Sequence, residues 1–177
     1  MSLTTAGLIA TAISFLVFTV LAVWYVGPWM RRQPLAIAVS VPLWVHVFRY
    51  VALQIFSAQH FGLRISDVLA SEIAWGDVAG AALALGALWL LRRGSRAAIP
   101  VVWVFVVEST IDLLNATLGG IRERALESAY AVTWLILDFY APLLWVTLAL
   151  VVWRLVMQIR AGEPDDEMRV SAFDPSA

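Results

Sequence analysis

Residues 98–118 read Ala98-Ile99-Pro100-Val101-Val102-Trp103-Val104-Phe105-Val106-Val107-Glu108-Ser109-Thr110-Ile111-Asp112-Leu113-Leu114-Asn115-Ala116-Thr117-Leu118. The run from Val101 to Val107 contains no polar side chain apart from the indole of Trp103. As a helix rising about 1.5 Å per residue, such a stretch is roughly 30 Å long, the thickness of a bilayer's hydrocarbon core. The short alternating segments of a spanning β-barrel are absent. Beyond Val107 stand Glu108, Asp112 and Asn115, at i, i+4 and i+7, which places all three on one stripe of the helix. The reading is a membrane-crossing helix with acids inside its span.

Four further stretches meet the same length, giving expected spans at about 6–27, 34–58, 66–92, 98–118 and 129–157. Composition agrees. Of 177 residues, 62% are hydrophobic and 14% charged, with a mean hydropathy of +0.83. A soluble domain of this size cannot hide that much apolar surface. The expected fold class is all-α: a polytopic integral membrane protein, residues 1–160 forming five transmembrane helices in an antiparallel bundle, because the connections are short. Residues 161–177 carry Glu163, Asp165, Asp166 and Glu167 with little apolar content, and read as a disordered acidic cytoplasmic tail. There is no cysteine, which excludes disulfides and thiolate metal sites, and no lysine, which excludes a Schiff base. A formal charge of −1 gives no basic field for nucleic acid.

Met1 to Met30 contain no arginine, so the first segment lacks the positive start of a cleaved signal and is read as a retained span. With the N-terminus outside, the inner side holds Arg31, Arg32, Arg92, Arg93, Arg96, Arg154 and Arg160, and the outer side Arg64, Arg122 and Arg124. That bias predicts N-out, C-in in a multi-pass plasma (cytoplasmic) membrane, the inner membrane of a bacterial-like cell. Trp24, Trp29, Trp89, Trp103 and Trp153 fall towards the inner interface on this topology, as an aromatic belt does.

Ionisable groups inside spans are expensive and carry the functional signal. On the helical rise, Glu108 lies near mid-plane with His46; Asp77 and Arg49 lie about 3–5 Å to the outer side, Asp112 and Asp138 about 6–8 Å, and Glu72 and Asn115 about 10 Å. Four helices thus place their polar groups in one slab. Gly76-Asp77-Val78-Ala79-Gly80 is a GxxxG, expected to let a neighbouring backbone approach. Pro142 removes the helical partner of the Asp138 carbonyl, and Pro42 does the same to Ala38, turning His46 and Arg49 inward. An unwound carbonyl beside a carboxylate is one way to hold a cation. A plain packing kink is the simpler reading of either proline. Arg49 with one acid is equally an internal ion pair, and His46 equally a core histidine.

The slab holds five acids, Glu72, Asp77, Glu108, Asp112 and Asp138, against one fixed cation, Arg49. Low dielectric does not tolerate that excess. Protons, a bound cation or water must share the site. The expected function is a transporter or channel-like protein. Glu108 and Asp112 would carry a proton or small cation, Asp138, Asp77, Glu72 and Asn115 would be further ligands, and Arg49, His46 and Tyr140 counter-charge and polar partners. Two other readings stay open. One is an intramembrane enzyme acting on a lipid or isoprenoid, with Glu108, Asp112 or Asp138 as general acid and Trp44, Trp75, Trp134, Trp145 and Tyr140 lining a pocket for a small apolar ligand. The other is an accessory or assembly subunit whose acids meet a membrane partner or a second copy of the chain. Whether the chain is an enzyme is left open. No metal and no cofactor are expected: HExxH, a DxxxD pyrophosphate motif and a Gly-rich phosphate loop are missing, and His60 sits in a loop where it cannot pair with His46 on a haem.

Overall fold

The computed structural model describes residues 2–129 and 131–161, and these form helices joined by short turns. The order is α1 (Leu3–Leu21), a π turn (Ala22–Val26), α2 (Gly27–Arg31), α3 (Leu35–Val47), a 3-10 turn (Phe48–Gln54), α4 (Ile55–His60), α5 (Asp67–Arg92), α6 (Ala98–Arg122), a short 3-10 turn (Ala125–Glu127), α7 (Ala131–Leu135), a second π turn (Ile136–Tyr140) and α8 (Ala141–Ala161). They combine into five rods long and apolar enough to cross a membrane: Leu3–Arg31, Leu35–His60, Asp67–Arg92, Ala98–Arg122 and Ala131–Ala161. The acidic tail expected from 161 onward lies outside the described residues, apart from Ala161 at the end of α8.

The fourth rod runs a turn further than its apolar stretch, through Gly119 and Gly120 to Arg122. The glycines do not break the helix because Gly119 is a contact point: a methyl there would collide with the Leu69 side chain. Ser66 caps α5, its Oγ accepting from the Leu69 N–H at 3.2 Å. The Glu123 carboxylate just past α6 in turn accepts from the Ser66 N–H at 2.6 Å and the Ser66 hydroxyl at 2.8 Å. One end of the α5–α6 pair is thereby tied.

Three of the irregular turns follow a proline or precede one. Pro42 lies inside α3, and beyond Val47 the second rod winds as a 3-10 helix. With three residues per turn, every third side chain stays on one line. Leu43, His46, Arg49, Ala52, Ile55 and Ala58 are accordingly all buried. Pro28 and Pro142 are each preceded by a π turn, closed by the Gly27 N–H on the Ala22 carbonyl and the Ala141 N–H on the Ile136 carbonyl. The Asp138 carbonyl that Pro142 was expected to free lies within this widened turn.

Two apolar cores result. The larger joins α3, α5, α6 and α8 through residues such as Val39, Leu88, Phe105 and Val151. The smaller gathers Ile55, Ala58, Leu63, Ala70, Ala74 and Ala129. Along the second and third rods, Arg49 and Asp77 fall between the two. The first rod is peripheral. Its inner stripe of Gly7, Thr11, Ser14, Phe18 and Ala22 lies against the fifth rod, with Phe18 edge-on to Phe139 at 5.1 Å, while Ile9, Ile13 and Leu16 face outward.

Candidate proton or cation site

The second, third and fourth rods meet on the guanidinium of Arg49, which has no exposed surface. Arg49 Nε donates to Asp77 Oδ1 at 2.6 Å, and Nη1 donates to Ser109 Oγ at 2.7 Å. Nη2 donates to Asp112 Oδ2. The Ser109 hydroxyl passes the chain on, donating to Glu108 Oε2 at 3.1 Å. Three carboxylates thus surround one fixed cation, two in direct contact and Glu108 through Ser109. Asp77 and Asp112 are buried, whereas Glu108 is half-buried and opens onto a shallow groove of about 700 Å³ along α6, between Trp103 and Asn115.

The GxxxG of α5 makes room for these side chains rather than for a neighbouring backbone. A methyl on Gly76 would overlap the Asp112 carboxylate, and one on Gly80 would collide with the Arg49 guanidinium and press on Glu108. The motif was legible as a close approach, but what approaches is an ion pair. Helical phase explains the uneven burial of the α6 stripe. The buried centre of α6 runs through Phe105, Ser109 and Asp112, so Glu108 and Asn115 stand on its rim. Asn115 Nδ2 donates to Glu72 Oε2 at 3.1 Å across the rim, and both residues are exposed.

The other expected partners make their hydrogen bonds to groups other than Arg49. His46 is fully buried, but its Nε2 pairs with Thr147 Oγ1 at 3.1 Å and its ring stands edge-on to Phe105 at 5.0 Å. Tyr140 donates to the Val45 carbonyl at 2.8 Å, where the second rod leaves α-helical winding. Asp138, 1% exposed, faces the first rod and not Arg49. Its Oδ1 accepts from the Thr11 hydroxyl at 2.6 Å, its Oδ2 has no partner among the described residues, and the carboxylate lies over Gly7, whose missing side chain leaves it space. The cluster expected to include Asp138 is therefore divided, because the π turn directs that side chain to the opposite face. Trp44 and Trp75, expected to line a pocket, are 50% and 62% exposed and point outward. Among the described residues, no group of three His, Asp or Glu side chains has the arrangement of a metal site.

Sequence reasoning missed Ser109, although its i, i+3 relation to Asp112 places it on the same face. It also missed Arg154, read only as a topology-setting charge. Arg154 is buried, and its Nε and Nη2 donate to the Met30 and Gln33 carbonyls at 3.3 and 3.2 Å, closing the end of the first rod.

The chain belongs to the family described as Domain of unknown function (DUF8737), whose model matches residues 7–156. No curated protein and no solved structure matches it.

Proposed function

We propose that this family member is an integral protein of the plasma membrane, N-terminus outside and C-terminus inside, that takes up a proton or small cation at Asp77, Glu108 and Asp112 and carries it as a transporter or channel-like protein. The observation that supports this most is the ratio at Arg49: one guanidinium faces three carboxylates, and two of them, Glu108 and Asp112, line the α6 groove, Glu108 being the more exposed. Arg49 balances one negative charge. The remaining charge is costly in low dielectric unless a proton or cation joins it. Arg49 is then the resident counter-charge, Ser109 the relay to the entrance, and Glu108 the group that exchanges with the outside. The test is ion movement in liposomes holding the purified protein alone, read with a pH-sensitive dye and under a cation gradient. Proton- or cation-driven flux that Glu108→Gln abolishes fits the proposal; wild-type flux in Glu108→Gln contradicts it.

A second reading, an accessory subunit, is favoured by one observation. Glu72 and Asn115 stand exposed among outward-facing Trp75, Ile111 and Leu118. Polar groups on a lipid-facing surface call for a cover. An absence of flux from the lone protein, together with a stable membrane partner that Glu72→Leu releases, would favour that reading over transport.

A further inference from the structure

Beside the Arg49 cluster the rods enclose an apolar cavity of about 120 Å³, walled by side chains such as Leu69, Ile73, Leu113 and Leu144, with Asp77 on its lining. Asp77 is 8% exposed. Its Oδ1 is taken by Arg49, and its Oδ2 has no hydrogen-bond partner among the described residues. A lateral groove of about 370 Å³ lies between α1, the end of α6 and the start of α8, with Leu8, Phe15, Ile121 and Trp145 on its walls. Ala116, Thr117, Gly120, Ala125, Leu137 and Ala141 line both spaces. The partition is therefore one layer thick, and four of its six residues carry a methyl group or no side chain.

We propose that cavity and groove form one binding site for an amphiphile with a single apolar chain and an alkylammonium head, the chain lying in the groove and the head reaching Asp77. The groove falls within the size range of ligand sites, and such sites pair apolar walls with a few placed polar groups. The inner end is rich in acceptors. The Tyr140 hydroxyl is committed to the Val45 carbonyl at 2.8 Å and the Thr133 hydroxyl to Gln54 Oε1 at 3.4 Å, which leaves their lone pairs free, and both residues line the cavity that Asp77 lines. A head that donates hydrogen bonds satisfies them. A positive head also offsets the carboxylate excess around Arg49, which a neutral alcohol does not. The head rests on the cation-binding reading above; the chain does not.

Photolabelling tests this. Full-length protein in nanodiscs is irradiated with a dodecylamine carrying a diazirine on the carbons next to its amine, the part that enters the inner cavity, and labelled residues are mapped by mass spectrometry. Label is expected on the inner walls, at Leu69, Ile73 or Leu113, competed by dodecylamine and not by dodecanol. It should fall several-fold in Ala116→Leu, which thickens the partition, and be unchanged in Ile111→Leu on the outer face of α6. Asp77→Asn should remove the preference for amine over alcohol; should that variant not fold, Ala116→Leu still decides. Label confined to outward residues such as Ile111 and Leu118, insensitivity to Ala116→Leu, or equal competition by dodecanol would each overturn the proposal. Inner-wall labelling in a protein that moves no ion would sink transport and leave this site standing, and flux without inner-wall labelling would do the reverse.

Discussion

Arg49 Nε lies 2.6 Å from Asp77 Oδ1, and the guanidinium that makes this contact has no exposed side-chain surface while Asp77 has 12%. Neither partner can turn to water. Asp112 holds the other edge of the same guanidinium from α6, so a single side chain of the second rod ties the third to the fourth. Burying charges is worthwhile only when they are paired, and removing one partner strands the others.

Arg49→Ala is therefore expected to cost about 3–5 kcal/mol, or to force protons onto Asp77 and Asp112. Denaturation of the purified protein in detergent measures it. A wild-type melting temperature at neutral pH would mean that the three-way contact does not hold the rods.

The two glycines of α5 should be intolerant for a reason unrelated to flexibility. Gly76→Ala drives a methyl into the Asp112 carboxylate and Gly80→Ala one into Arg49. Overpacking of this kind costs about 1–3 kcal/mol. Gly86, on the same helix, has open space around its missing Cβ, so Gly86→Ala should be neutral or slightly stabilising. Equal melting temperatures for all three variants would contradict the packing described.

Glu123 sets a pH dependence at the end of the α5–α6 pair. The Ser66 N–H, and after it the Ser66 hydroxyl, donate to its carboxylate and hold it below the usual range. A lowered folded value means that the contribution is complete above the ordinary glutamate value of about 4.3 and is lost as pH falls through the lowered one. The melting-temperature gap between wild type and Glu123→Gln should be constant from neutral pH down to that value and shrink below it. A gap that widens on acidification would reverse the assignment.

Much of this was legible in the sequence because hydrocarbon makes charge conspicuous. An arginine within a span needs an acid, and Asp77 was at matching depth with Asp112 one helical turn or less beyond it. The close approach at Gly76 and Gly80 was visible as spacing. Three features depended on tertiary geometry. Asp138 shares the depth of Asp112 but not its azimuth, since the π turn rotates it towards Thr11. His46, in the last turn of α3 before the 3-10 winding begins, meets Thr147 of α8. Arg154 counted as a topology charge until the end of the first rod supplied carbonyls for it to bond.

Among the described residues, Thr11 is the one hydroxyl that donates to Asp138. Thr11→Val keeps the shape and leaves that buried carboxylate without a donor, at an expected cost of about 1–3 kcal/mol. Because α1 itself is otherwise held along one largely apolar stripe, hydrogen exchange in α1 should rise before exchange in α5. Unchanged protection of α1 would show that the Thr11–Asp138 bond does not fasten it.

The central claim is that the carboxylates around Arg49 share a proton or cation, and infrared difference spectroscopy tests it most directly. Across roughly pH 5–9, a span that covers perturbed carboxyl groups, wild-type protein should show a protonated-carboxyl band that titrates as a property of the group and not of one residue. The band should weaken in Glu108→Gln and in Asp112→Asn, and should be displaced by a cation that the site accepts. No such band, together with a melting temperature indifferent to added cation, would contradict the account and leave the Arg49 cluster a structural ion network.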